Sequence, residues 1–237
     1  MNWAIVFEPD SLALYGQGIL VTLGLLLSSL AAGAVLAVIF AIGLAQGPRW
    51  LARLIGTYTY VMRGTPLLVQ VYLIYYGLGQ LEWIQARWDE VWPWTYFKEP
   101  FFCAWLAFTL NTAGYTAEIV AGAMRETSAG EVEAAMAVGM SRSQVLRLIV
   151  LPSALRRSLP AYSNEVVMLL QSTSLASAVP AMTDITAAAS RIYSDYYLPF
   201  EAYSFAALLY IVITFGLIGL FRLAERRYLS YLVVRRT

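Results

Sequence analysis

Residues 130–152 read GEVEAAMAVGMSRSQVLRLIVLP, a capped, water-facing segment inside a chain otherwise made for lipid. Two short helices are predicted within it. Ser128, with Glu131 three residues on, predicts a capping box that starts the first, and Gly139 suits the left-handed residue that ends it. Ser141 with Gln144 repeats the device, after which Val145, Leu148 and Ile149 fall on one helical face ahead of Leu151-Pro152. A helix–Gly turn–helix knob standing out of an apolar chain is a handle for a soluble partner.

The surrounding composition is that of a membrane protein. Apolar residues make up 59% of the 237 and charged residues 13%, about half the charge that soluble domains carry. Seven Trp and sixteen Tyr suit aromatic belts at two interfaces. A formal net charge of +1 offers nothing to nucleic acid. Histidine is absent and Cys103 is the single cysteine, which excludes an intrachain disulfide and leaves no zinc or iron–sulfur ligand set. Lying in an apolar run, Cys103 reads as a small buried hydrophobe. No G-x-x-x-x-G-K-[ST] motif occurs, so no P-loop for ATP is expected. Only the acidic Glu8 and Asp10 precede the first apolar run, so the first helix itself, and not a cleaved peptide, is the expected targeting signal.

A bilayer core of about 30 Å takes roughly 20 helical residues. Five spans are predicted on that basis: 18–45, 58–81, 101–124, 152–179 and 201–221. Arg49, Arg53, Arg125, Arg142, Arg147, Arg156, Arg157, Arg222, Arg226, Arg227, Arg235 and Arg236 lie in or beside one set of loops. The other set holds Arg87, Lys98 and Arg191 against Glu82, Asp89, Glu90, Glu99, Asp184, Asp195 and Glu201. The positive-inside rule then puts the N-terminus outside, and the C-terminus and the knob in the cytosol. The Trp83–Trp94 loop is expected on the outer face as a re-entrant or short helix, or as a docking surface for an outside partner.

Charged side chains at mid-bilayer cost about 2.5–3.5 kcal/mol and usually face a cavity. Glu165 stands near the centre of the fourth span. On a helical wheel it shares a line with Ser172, beside the line of Asn164 and Gln171, with Met168 between them. This polar stripe predicts a water-lined path, and Pro160 permits a kink or an unwound turn that frees carbonyls. Asn111, Tyr115 and Glu118 stack similarly in the third span, either on the path or as interhelical glue. An ionised Glu165 is a counter-ion for a guanidinium or ammonium group, and Asn111, Gln171, Ser172 and Thr173 are placed to hold an amino acid's other polar groups. Arg63 either snorkels to the interface or caps the inner end of the path.

Five ordered stretches carry a family resemblance. Glu133-Ala134-Ala135, Gly139, Ile149 and Leu151-Pro152 match the spacing of the EAA signature of permease subunits of bacterial ABC importers. Arg63-Gly64-Thr65-Pro66 and Asn111 to Glu118 are similar to the polar amino acid branch. Ala161 to Val167 and Gln171 to Leu175 resemble the histidine, basic amino acid and opine permeases. The resemblance implies an all-α polytopic inner-membrane protein with five transmembrane helices of the type I ABC importer kind. It comprises a periplasmic segment 1–17, a transmembrane domain 18–222 with its cytosolic EAA coupling loop at 128–152, and a basic cytosolic tail 223–237. It further implies two ATP-binding subunits that hold ATP and Mg and grip Glu133, Ala134, Ala135 and Gly139. A second permease, identical or homologous, and a periplasmic amino acid-binding protein complete the expected assembly. No cofactor is expected in this chain. The sequence departs from the branch at Gln171-Ser172, where a Lys-Asp pair is common, and the missing lysine favours cationic substrates. Ala121 and Glu131 replace a usual arginine and glutamine.

The rival reading is an ion- or proton-coupled secondary transporter, for which intramembrane carboxylates are also typical, although no inverted repeat is visible. An intramembrane enzyme lacks a base, because no lysine lies in any span. A structural scaffold has no need of a polar stripe at mid-depth.

Overall fold

Proline cannot donate an N–H, and the first turn of a helix does not need one. Pro9, Pro100 and Pro199 accordingly open the three longest helices of the computed structural model, which describes residues 2–78, 80–87, 89, 92 and 94–229. A 3₁₀ turn at Trp3–Phe7 leads into α1 (Pro9–Gln46), followed by α2 (Arg49–Gly64) and α3 (Leu67–Tyr72), which runs on as a π-turn over Leu73–Leu78. Next come α4 (Glu82–Gln85), a 3₁₀ turn at Trp94–Lys98, and α5 (Pro100–Arg125). Helices α6 (Ala129–Ala137) and α7 (Arg142–Val145) follow, and α7 passes through a π-turn, Leu146–Val150, into α8 (Leu151–Ser172). A 3₁₀ turn at Thr173–Ala178 precedes α9 (Ile185–Tyr196) and α10 (Pro199–Tyr228). No strand occurs among the described residues.

The central pair is α1 and α5, with α2 and α8 on the flanks of α5, and α9 and α10 against α1 and α8. Helices in lipid gain little from burying more hydrocarbon, so close backbone approach between small residues carries the packing. Gly33 of α1 lies against Thr109, Thr112 and Ala113 of α5, and further along Ala41 is buried in one cluster with Val120 and Ala121. Gly33 is required there: a Cβ would collide with the Thr112 γ-methyl and stand 3.3 Å from the Thr109 carbonyl. One apolar cluster surrounds Leu25, Phe108 and Leu170, a second joins α5 to the 128–151 segment through Met124, Val145 and Ala154, and a third binds Tyr15, Ile185 and Ile192 at the other end.

The third predicted span coincides with α5, and the first and fifth lie inside α1 and α10. Among the described residues, two helices, α1 and α10, are long and apolar enough to cross a membrane. The second span is corrected: Pro66 forces Thr65 to be extended (φ −116°, ψ 143°), so the chain breaks between α2 and α3. The fourth departs in the other direction. α8 runs unbroken through Pro160, and unwinding to 3₁₀ begins only at Thr173. Helix α9 was not foreseen. Asp184 caps it, Oδ2 accepting from Thr186 N (3.0 Å) and Oδ1 from Ala187 N (3.4 Å), while burial pushes this carboxyl above its usual range. Most of the expected segment 1–17 is already α1, and the expected tail begins inside α10. Arg235 and Arg236 lie outside the described residues, as do Trp88, Glu90, Val91 and Pro93 of the Trp-rich loop, whose described part includes the short α4.

The knob forms as a helix–turn–helix. Gly139 has φ +90°, with Gly139 N bonded to Met136 O (3.0 Å) and Met140 N to Ala135 O (3.2 Å), the Schellman pattern. The box at Ser141 and Gln144 is closed in both directions. The box expected at Ser128 and Glu131 is not. Ser128 is the N-cap, but its hydroxyl accepts no bond, because Glu131 N turns tightly onto Ser128 O instead (3.1 Å). Arg157 ties α8 to this region: Nη2 donates to Ala123 O and Thr127 Oγ1 (both 2.8 Å) and Nη1 to Ser153 Oγ (2.6 Å). Ala123 O is one of the last-turn carbonyls that α5 cannot satisfy itself.

Candidate functional site

The break at Thr65-Pro66 builds the site. Breaking a helix orphans carbonyls, and a buried orphan costs about 1–3 kcal/mol. Gln70 answers this cost. Its side chain, 6% exposed, directs Nε2 at Met62 O (2.8 Å), Thr65 Oγ1 (2.8 Å) and Thr65 O (3.1 Å). Asn111 on α5 then donates Nδ2 to Gln70 Oε1 (3.0 Å) and to Met62 O (3.2 Å). One turn along α5, Tyr115 donates its hydroxyl to Arg63 O (3.2 Å). The broken turn is thus clasped to α5 by two side chains.

Across from this clasp, α8 supplies Glu165, Met168, Leu169 and Ser172, and the open-sided cavity between them measures about 370 Å³. Its remaining walls are Arg63 to Leu67 of the broken turn, Asn111, Tyr115, and Leu175 beyond α8. Glu165 is 6% exposed. The Thr112 hydroxyl is turned toward it without closing a hydrogen bond, and the Arg63 charge faces it across the space. The Arg63 guanidinium itself lies over the Tyr115 ring, 5.6 Å from its centroid. A carboxylate, an arginine, an amide and an aromatic ring therefore converge on one small space whose walls are polar and apolar in similar measure.

Of the predicted residues, Asn111, Tyr115, Glu165 and Ser172 meet at this cavity. Glu118, Gln171 and Thr173 do not. Glu118 accepts from Thr59 Oγ1 (2.7 Å) and so joins α5 to α2. Thr173 is fully buried with its hydroxyl bonded to Leu170 O (2.6 Å). Gln171 stands with Asn164 on the exposed face of α8. Gln171 falls on the exposed line of α8 next to that of Glu165 and Ser172, whereas Thr173 turns into the core where the 3₁₀ turn begins. Arg63 lines the cavity. Gln70 was missed, although a lone amide four residues after Pro66 in an apolar run is a readable signal.

In the knob, Glu133, Ala134 and Gly139 are exposed, whereas Ala135 is 6% exposed and faces Met124, Val145 and Ala154. Its small side chain seats α6 on α5. Met136 and Val138, 43% and 80% exposed, add an unforeseen apolar surface. A larger cavity of about 550 Å³ lies between the start of α1 and α9. Its Arg191 and Asp195 pair with each other at 3.0 Å in the open, and Asp10 lines its other side.

Residues 30–230 match the model of a family described as binding-protein-dependent transport system inner membrane component. The chain is 46% identical over 216 residues to the histidine/lysine/arginine/ornithine transport system permease protein HisM of Salmonella typhimurium, covering 90% of this chain and 89% of that protein. It is 45% identical over 204 residues to the nopaline transport system permease protein NocM of Agrobacterium fabrum, covering 86% and 83% respectively. Among solved structures, the crystal structure of an amino acid ABC transporter with histidines is similar with a TM-score of 0.80 at 28% identity, covering 96% of this chain and 99% of that one.

Proposed function

We infer the role of this chain from one premise: it belongs to the family of binding-protein-dependent transport system inner membrane components. It is a membrane permease subunit of an ABC importer of the polar amino acid branch, and the secondary-transporter reading is not favoured. The family moves solutes and does not make or break covalent bonds.

The finer reading is this. The chain crosses the bilayer five times, near 18–45, 58–81 (through the break at Thr65-Pro66), 101–124, 152–179 and 201–221, with its N-terminus outside and its C-terminus inside. Residues 1–17 face the periplasm, 18–222 form the transmembrane domain and 223–237 the basic cytosolic tail. The cavity at the break is half of a translocation path for cationic amino acids or opines, completed by a second permease, identical or homologous. Glu165 pairs with a positive group of the solute, while Asn111, Tyr115 and Ser172 set its pose. The knob, through Glu133, Ala134, Gly139, Met136 and Val138, receives the cytosolic ATPases that hold ATP and Mg. A periplasmic binding protein delivers the solute.

The observation that carries the substrate class is the buried Glu165 carboxylate facing the cavity beside Asn111 and Tyr115. Uptake of labelled arginine, lysine and histidine into ATP-loaded proteoliposomes with the binding protein tests it. Glu165→Gln is expected to lower uptake at least about tenfold, since a charge-assisted bond contributes about 1.5–3 kcal/mol, while the complex still assembles. Normal uptake would remove Glu165 from the site.

A further inference from the structure

The cavity carries one cation as well as one anion, and a single aromatic ring holds the cation. Arg63 forms no ion pair, and its guanidinium donates no hydrogen bond among the described residues; it rests over the Tyr115 ring. Its backbone is held in place, because Tyr115 donates to Arg63 O (3.2 Å) and Gln70 clasps Met62 O, one residue before it, and Thr65 O, two residues after. The side chain is therefore a free planar fork on a fixed base, exposed at the edge of the space that Glu165 closes from the other side. Asn111 has both amide bonds committed through Nδ2, and its Oδ1 accepts from no donor among the described residues.

An amino acid presents an ammonium and a carboxylate on one carbon, and a site with charges of both signs on facing walls complements that pair. A lone buried carboxylate alone selects any cation. We propose that Arg63 is the carboxylate-recognising group of the cavity: it leaves the Tyr115 ring to form a two-pronged bond to the solute's α-carboxylate, while Glu165 and Asn111 Oδ1 take a positive group. This inference rests on the reading of the cavity as the substrate site. It makes Arg63 the residue that separates amino acids from the amines that share their cationic end.

The probes are arginine and agmatine, which is arginine without its carboxylate, titrated directly onto the purified permease–ATPase complex with no binding protein present. The unaltered complex is expected to bind arginine at least about tenfold tighter than agmatine. Arg63→Gln is expected to erase that preference by weakening arginine about tenfold and leaving agmatine within about twofold, and Arg63→Lys to restore part of it. An unchanged thermal midpoint and unchanged ATPase retention in Arg63→Gln show that the variant is folded. A preserved arginine preference in Arg63→Gln overturns the assignment. So does equal weakening of both ligands, tightening of both, or failure of the unaltered complex to bind either. Glu165→Gln runs in parallel: loss of both ligands upholds the site whatever Arg63 does, and full retention of both removes the site itself.

Discussion

Gln70 shows how much of the site depends on a residue that touches no solute. Its amide satisfies Met62 O and both oxygens of Thr65, and its own oxygen orients Asn111. Gln70→Leu keeps the volume but removes the bonds to the broken turn and takes from the buried Asn111 amide one of its two acceptors, at a cost of about 1–3 kcal/mol. The expected result is a lower thermal midpoint of the purified complex, together with a rise of several-fold in the arginine concentration that half-saturates uptake. If both stay unchanged, the clasp does not hold the site. Glu165 was legible in the sequence because an acid in an apolar run has few inexpensive explanations. The clasp was not, because its main acceptor, Met62 O, becomes available only once the helix has broken. Glu118 was legible as polar but not as a tie, since its partner Thr59 belongs to a different helix.

Among the elements, the knob was the most readable because its signals are local. Gly139 adopts φ +90° and the box at Ser141 closes, both within a few residues of chain. Gly139→Asp places a side chain where L-residues are strained by roughly 1–2 kcal/mol and adds a charge beside the exposed Val138. The ATPase is expected to be lost from detergent-purified complexes, read as the ratio of the two subunits on a gel. An undiminished ratio would count against the knob as the docking element. Ser128 is the cautionary case: the capping pattern was present, but the first turn tightened onto its carbonyl and left its hydroxyl aside. The second span failed for a similar reason. Hydropathy averages over Pro66 and reports one segment, whereas the backbone at Thr65 is extended and the helix stops.

For the whole molecule, the cavity is walled by α8, α5 and the broken turn, and the α8 face bearing Asn164, Met168 and Gln171 is exposed beside it. A solute held there is open on one side in a single copy, which supports a two-permease assembly. At about 1.5 Å per residue, the 38 residues of α1 span about 57 Å, well beyond a bilayer core of about 30 Å. α1 therefore reaches out of the membrane at one end at least. Cysteines at Asn2 and Leu229, in a variant with Cys103 replaced, are expected to react with an impermeant maleimide from opposite faces of sealed vesicles. Reaction from the same face would break the five-crossing arrangement.

Composition, charge asymmetry and the spaced motifs determined that this is a helical membrane protein with an acid in its interior and a handle beyond it. Those properties are sums or short-range patterns, so they survive without coordinates. Which polar residues meet was decided only by the tertiary structure. Asn111, Tyr115, Glu165 and Ser172 converge with Arg63 because Pro66 breaks one helix and α5 and α8 close on the gap, bringing together residues about a hundred positions apart in the chain. Spacing along a single helix carries no information about that distance.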